Sequence, residues 1–215
     1  VIVIIILIAL GFKYRDNSKN YKLHSSPKIN RFGGARFSKI DQYNYFLYPS
    51  LLLAHPQRFT LRPGQALYIP SKWWHWIKNV GATTAINFWS NNENVNIYGN
   101  TPFIMKHTQT LSLKPILNDT VEVSRWKEGE MVGYKEIFST FLKKKIPNRY
   151  VMSVPLYNKG ANQFIRQKLE SQIKPILRYE PYEHNIWITS NSLDTGLHYD
   201  DLPGLLCVIK GLKEI

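Results

Sequence analysis

The sequence predicts a mainly β protein with helices, of the α+β class, and three observations carry that expectation. First, FTLRPGQALYIPSKWWHWIKNVGATTAINFW, Phe59 to Trp89, holds two apolar strands, Gln65 to Ile69 and Ala85 to Trp89. They flank a turn that presents Trp73, Trp74, His75 and Trp76. Second, TGLHYDDLPGLLCVIKGLK, Thr195 to Lys213, contains an apolar run from Gly204 to Ile209 that suits a buried strand ending at Gly211. Third, two segments repeat their apolar residues at helical spacing, in the region between those stretches.

The chain of 215 residues is long enough for one sizeable domain with its own core. Its hydrophobic fraction of 44% and aromatic fraction of 13% exclude a disordered chain. Lys and Arg number 28 against 15 Asp and Glu, a formal charge of +13 that favours anionic partners. These charges are scattered, as on a solvated surface, and the one dense run is Lys143 to Lys145. Cys207 is the single cysteine, which excludes an internal disulfide and a thiolate-cluster zinc site. Within its apolar run it is expected to be a small buried hydrophobe.

In chain order, VIVIIILIALGF at residues 1–12 precedes the cations Lys13 and Arg15. Twelve apolar residues fall short of the about 20 that span a bilayer. The segment is expected to be part of a signal anchor, or alternatively a buried β-branched strand. Residues 13–40 are polar with Gly33 and Gly34, a loop or linker, and a Tyr-rich segment follows from Asp41 to Leu53. Pro63 and Gly64 turn the chain into the first strong strand and Pro70 ends it. SNNENVNIYGN, residues 90–100, is turn-like and closes a structural unit.

After an extended piece around Leu111 to Val123, YKEIFSTFLKKK places Ile137, Phe138, Phe141 and Leu142 on one helical face. Its last-turn lysines and Pro147 are helix stop signals. A second helix is expected across Ala161 to Ile173, with Phe164, Ile165, Leu169 and Ile173 in its stripe. Both stripes are core faces with no ligand role. Asn185 to Thr189 suits a strand, and NSLDTG after it a turn. No internal repeat is evident.

A histidine among indoles is ordinarily a satisfied core residue, so His75 alone would carry little. His198 and Asp200, however, stand at i and i+2, which on a strand puts both side chains on one face. Two imidazoles and one carboxylate form the facial triad that suits non-haem Fe(II) with open coordination positions. His75, His198 and Asp200 are therefore the candidate metal ligands and catalytic residues.

Taken together, TGLHYD with its apolar strand ending GLK, and PGQALYIPSKWWHWI with AINFW, resemble the JmjC and cupin-like Fe(II)- and 2-oxoglutarate-dependent oxygenases. The asparaginyl-hydroxylase-like branch is the nearest in pattern, and the resemblance covers about residues 20–100 and 115–215. It implies a double-stranded β-helix, of cupin or jelly-roll form, with helical decoration. By it, His198, Asp200 and His75 fall on the iron-ligand positions, and Lys213 on the lysine that pairs with the far carboxylate of 2-oxoglutarate. Thr195 falls on an assisting hydroxyl, Asn87 on an amide lining the cosubstrate pocket, and Trp89 on an aromatic near it. Gly204 stands where that branch commonly carries Asn.

The motif order is swapped relative to the family, so the resemblance implies a circularly permuted barrel or two partial barrels. Residues 1–19 are then a hydrophobic segment and linker, 20–100 the C-terminal half of a barrel, and 101–215 a helical region plus the N-terminal half. The strand that should pair beyond Lys213 would come from residues 1–12. The implied activity is a dioxygenase that consumes dioxygen and 2-oxoglutarate, a hydroxylase or demethylase of a protein or other macromolecular substrate. The alternative is a non-catalytic cupin-like binding or structural barrel with an incomplete site. A third expectation, nucleic-acid binding, rests on charge alone, and membrane attachment rests on residues 1–12.

Overall fold

Every strand of the described residues joins one sheet, and most of its ladders connect segments far apart in sequence. The computed structural model describes residues 36–37, 53–90, 99–127, 130–153, 162–174, 176 and 182–215. In chain order the elements are β1 (Arg36–Phe37), β2 (Thr60–Leu61), β3 (Gln65–Ile69), β4 (His75–Ser90), β5 (Phe103–Lys106), β6 (Thr120–Lys127) and β7 (Glu130–Ile137). Then come α1 (Phe138–Lys143), β8 (Arg149–Met152), α2 (Gln163–Leu169), β9 (Tyr182–Thr189), β10 (Leu193–Tyr199) and β11 (Gly204–Glu214). The main path runs β5-β3-β11-β4-β9-β8-β6-β7, with β10 joining β4 to β1 and β2 lying against β11. The architecture is a mainly antiparallel jelly-roll barrel with helical decoration, as the sequence predicts.

The period-two alternation of the strands sorts their side chains onto two faces. On one face Ala66, Tyr68, Ile86, Phe88, Ile186, Ile188, Leu205 and Cys207 are buried, covered by Phe138 and Phe141 of α1 and Ile165 and Leu169 of α2. Their neighbours one residue along, Leu67, Ala85, Leu206 and Val208, point the other way and pack with Leu61 and Ile77. Each fully buried Leu, Ile or Phe contributes about 1.5–3 kcal/mol, so the two clusters pin the register of β3, β4 and β11.

β4 is the hub. Its last part pairs with β9 from Thr83↔Thr189 to Ser90↔Tyr182, and its first part pairs with β10 from Asn79↔Leu193 to His75↔His198. β11 follows its other edge from Trp89↔Gly204 to Lys78↔Glu214, with register shifts around Gly211. Gly81 (φ 78) and Gly211 (φ 86) sit at this corner in left-handed conformations that only glycine adopts without strain. A Cβ on Gly211 would stand 2.3 Å from the Ala82 carbonyl oxygen. The two strands turn the corner in contact because one of them has no side chain there.

Several expectations need correction. The second strand is not confined to Ala85–Trp89: it begins at His75, so His75 and Trp76 lie in β4 and not in the preceding turn. Tyr134 to Ile137 belong to β7, paired with Val123 to Thr120 of β6, and leave α1 only Phe138–Lys143. The turn after β9 is shorter than NSLDTG, since β10 begins at Leu193. β11 runs past Gly211 to Glu214. Its end is flanked by β4 on one side and by β2 on the other, through Lys213↔Leu61 and Glu214↔Thr60. The place expected for residues 1–12 beside Lys213 is thus filled by β2. Residues 1–12, the linker apart from Arg36 and Phe37, which form β1 against β10 and not loop, most of the Tyr-rich segment and residues 91–98 lie outside the described residues. Among the described residues no helix is long and apolar enough to cross a membrane.

Candidate metal centre

His75 opens β4 and stands directly opposite His198 of β10, and opposed residues of an antiparallel pair share a face. Asp200, two residues after His198, is held from the backbone by a 2.7 Å hydrogen bond from the Lys72 N–H to its carbonyl. The three side chains converge: each offers a ligand atom, and these atoms all lie within 4.8 Å of one another. The imidazole centroids are 4.2 Å apart, and His75 Nε2 is 3.7 Å from Asp200 Oδ2. His75 and His198 are each 8% exposed.

The hydrogen bonds fix the tautomer of each ring. Nδ1 of His75 lies 2.9 Å from the Trp73 carbonyl, and Nδ1 of His198 lies 2.9 Å from the Gly196 carbonyl. A carbonyl only accepts, so in both rings Nδ1 carries the hydrogen and Nε2 is the unprotonated nitrogen. Burial, then the neighbouring His198, pushes the His75 pKa down to about 3, against the Trp73 carbonyl bond. Burial also lowers His198. Both rings are neutral near pH 7, as metal-ligating imidazoles must be. The Asp200 carboxyl is pushed up to about 7 by burial and by Asp201, while a hydrogen bond from Trp89 works the other way. Two neutral imidazoles with Nε2 unprotonated and one carboxyl suit an N/O-ligated divalent metal such as Fe(II). Each of the three has an outer partner that orients it, a common feature of metal ligands.

Lys213 is 4% exposed, and its Nζ donates to Asn79 Oδ1 at 2.7 Å. Among the described residues no carboxylate forms an ion pair with it, and burial pushes its pKa down to about 7. A buried ammonium with a neutral partner and unused donors is a ready receptor for an anionic group.

The other sequence-predicted residues differ in what surrounds them. Asn87 lies on the inner side of β4 opposite Leu206 and Asn185, and its buried Oδ1 has no hydrogen-bond partner among the described residues. Trp89 is 5% exposed and hydrogen-bonded to Asp200. The Thr195 hydroxyl is committed to the backbone: it donates to the Ile77 carbonyl at 3.1 Å and accepts from the Ile77 N–H at 3.2 Å. It completes the β10–β4 ladder where Gly196 (φ 72) and a register shift interrupt it.

Sequence reasoning missed Asn79, the backbone carbonyls of Trp73 and Gly196, and Trp187, whose buried Nε1 lacks a partner among the described residues. Asn79 had a signal, because His75, Ile77 and Asn79 share one face once the strand is seen to start at His75. The carbonyls had none, since any residue supplies one.

Comparison with known proteins places these features in context. A family model described as a cupin-like domain matches residues 12–96. A JmjC domain-containing protein of Acanthamoeba polyphaga mimivirus is 30% identical over 223 residues, covering 84% of this chain and 37% of that protein. Human HSPB1-associated protein 1 is 39% identical over 56 residues, 25% of this chain and 12% of that protein. Lysine-specific demethylase 8 of Xenopus tropicalis is 40% identical over 42 residues, 20% of this chain and 10% of that protein. This chain thus spans well under half the length of these relatives. No solved structure matches it.

Proposed function

We propose, from the JmjC/cupin superfamily that the comparisons support for this chain, that it carries an Fe(II)- and 2-oxoglutarate-dependent dioxygenase centre. In this reading it hydroxylates or demethylates a protein or other macromolecular substrate. The observation that carries the proposal is the convergence of His75, His198 and Asp200, each offering a ligand atom within 4.8 Å of the others, with Nδ1 of both rings bound to a backbone carbonyl. The buried, anion-deficient Lys213 supports an acidic cosubstrate.

His75 and His198 would hold iron through Nε2 and Asp200 through a carboxylate oxygen. Iron and the keto acid together supply the oxidation: dioxygen converts 2-oxoglutarate to succinate and carbon dioxide, and one oxygen atom enters a substrate C–H bond. The Trp73 and Gly196 carbonyls keep both rings in the ligating tautomer. Lys213 takes the far carboxylate of the cosubstrate, and Asn79 holds its ammonium in place. Asn87 would line the cosubstrate pocket, where its amide NH2 is the end that can donate to the carboxylate or keto oxygens of the same molecule. Trp89 shields the cluster and keeps water from it. The Thr195 hydroxyl assists by fixing the strand that carries His198. Residues 20–100 supply His75, Asn79, Asn87, Trp89 and the Trp73 carbonyl, and residues 101–215 supply Thr195, His198, Asp200, Lys213 and the Gly196 carbonyl, so the two halves complete one site. A protein substrate agrees with the name of the demethylase relative.

The test is turnover of 2-oxoglutarate by purified protein with Fe(II) and ascorbate. Succinate formed in step with dioxygen consumption is the expected result. Bound iron without succinate, in the presence of candidate protein substrates, would leave a non-catalytic binding barrel as the correct reading.

A further inference from the structure

Asp200 is the candidate ligand that leaves its strand: it follows the last residue of β10 and stands in the link to β11. Its side chain is 18% exposed, against 6% for that of His75. A carboxylate in a link needs outside partners to hold one rotamer. The chain supplies them from both neighbouring segments. The Lys72 N–H holds the Asp200 carbonyl at 2.7 Å, and the Ser90 N–H holds the Pro203 carbonyl at 3.2 Å. The side chain itself receives the indole of Trp89, whose Nε1–H is the one donor that side chain has.

How the indole gets there depends on Gly204. The two residues are direct partners in the β4–β11 ladder, so a side chain at 204 would project from the same face as the indole. A Cβ on Gly204 would lie 3.1 Å from both Cδ1 and Nε1 of Trp89, closer than carbon contacts are normally found. The φ of Gly204 is not left-handed, so backbone conformation alone does not call for glycine there. What calls for it is the indole lying across that position.

We propose that Trp89 and Gly204 form one positioning unit for Asp200: Gly204 leaves the space the indole occupies, and the indole N–H orients the carboxylate toward His75 and His198. Trp89 is thereby a positioning residue, acting through Asp200, in addition to any contact with the cosubstrate. Gly204, a departure from the pattern the sequence resembles, is the counterpart of that hydrogen bond. The inference rests on the proposed metal centre and deepens it.

The experiment is Co(II) titration of the metal-free protein under argon, followed by visible absorption, which reports ligand geometry without turnover. Wild type is compared with Trp89→Phe, which keeps the ring and deletes the donor, and with Gly204→Ala, which keeps the donor and crowds it. Both variants are expected to bind Co(II) at least about tenfold more weakly, the usual effect of losing an outer-shell partner, and to show a shifted ligand-field spectrum. The double variant is expected to be no weaker than the weaker single one, since both act on one hydrogen bond. Circular dichroism establishes that each variant is folded, and Gly204→Ala carries the test if Trp89→Phe does not fold. Wild-type affinity and spectrum in the folded variants would overturn the positioning role and leave the metal centre standing. Failure of wild type to bind Co(II) would overturn the metal centre and this role with it.

Discussion

Lys213 and Asn79 face each other across the β11–β4 ladder, and the lysine Nζ donates to the asparagine Oδ1 at 2.7 Å. The pair is buried, 4% and 1% exposed, and stands on the inner side of the barrel with Ile77 and Leu61. A cation there is held by a dipole and not by a counter-ion, which makes its protonation depend on what binds beside it.

The first prediction concerns pH. Burial lowers the Lys213 pKa from 10.5 to about 7 in the folded protein, so between those values the unfolded chain binds more protons than the folded one. Stability contributed by this group therefore rises with pH from about 7 to 10.5, and below 7 its full cost is present. Lys213→Met should flatten that dependence and stabilise the ligand-free protein at pH 6 by on the order of 1–3 kcal/mol, after allowing for the partner Asn79 loses. Urea unfolding across pH 6–10 measures it. Affinity for 2-oxoglutarate, titrated calorimetrically with Mn(II) under argon, should fall by up to about tenfold per pH unit above 7 as the free lysine loses its proton. A flat profile would remove Lys213 from the cosubstrate site.

Loss of one candidate ligand is expected to uncouple metal from stability. A ligand at 100 times its Kd adds about 2.7 kcal/mol to the folded state, which is about 5–10 °C in Tm for a chain of this size. Mn(II) should raise the Tm of the wild type by that amount and leave the His198→Ala variant unchanged. Equal shifts in both proteins would place the bound ion elsewhere.

The corner glycines should differ in sensitivity. Gly211→Ala meets both a left-handed φ and the Ala82 carbonyl at 2.3 Å, and is expected to cost about 2–4 kcal/mol. Gly81 has the same hand of backbone but open space around its Cβ position, so Gly81→Ala should cost only about 1–2 kcal/mol. Thermal unfolding of the two variants separates crowding from conformation; equal losses would mean that crowding contributes nothing at Gly211.

Arg149 is 2% exposed. It donates to Glu136 at 3.2 Å, to the Tyr134 hydroxyl at 2.5 Å and to the Lys144 carbonyl at 2.5 Å, and lies 5.3 Å from the centre of the Phe141 ring. Arg149→Met should destabilise by about 3–5 kcal/mol because it removes the buried partner of the Glu136 carboxylate, leaving it only the exposed Lys144 at 2.7 Å, and leaves the Tyr134 hydroxyl and the Lys144 carbonyl without their donor. The double variant Arg149→Met with Glu136→Met should recover part of that loss in urea denaturation. A double variant worse than the single one would show that Glu136 is supported by Lys144 alone.

Much of the fold was legible where local rules and pairing agree. Pro63, Gly64 and Pro70 punctuate β3 at both ends, and its five residues alternate as a strand with one face to each core layer. His198 and Asp200 could be placed together because a two-residue spacing needs only a strand to carry it. β4 was cut short because Lys78, Asn79 and Gly81 break the apolar run; the two polar residues are tolerated there because β10 and β11 pair with them, and Gly81 supplies the left-handed corner. Tyr134 to Ile137 have helical spacing with the residues that follow, yet Ile137 is 50% exposed. Pairing with β6 decides their state, and no local periodicity encodes that. Asn79, Gly204 and the Trp73 carbonyl matter through partners more than a hundred residues away or through backbone atoms, which composition and spacing do not display.

The position of β4 between β9 and β11 also sets an order of assembly. Asn87 faces Asn185 on one edge and Leu206 on the other, and both partners are synthesised long after it. At about 5–20 residues per second, the segment AINFW emerges on the order of ten seconds before either edge can be covered. Until then it is an apolar ribbon with two open edges, prone to pair with other chains. Completion of the sheet must wait for the last strands, and the histidine cluster is among the last features to form. Refolding of the whole chain should be slow, in the millisecond-to-second range expected when distant pairings dominate, and its yield should fall steeply with protein concentration.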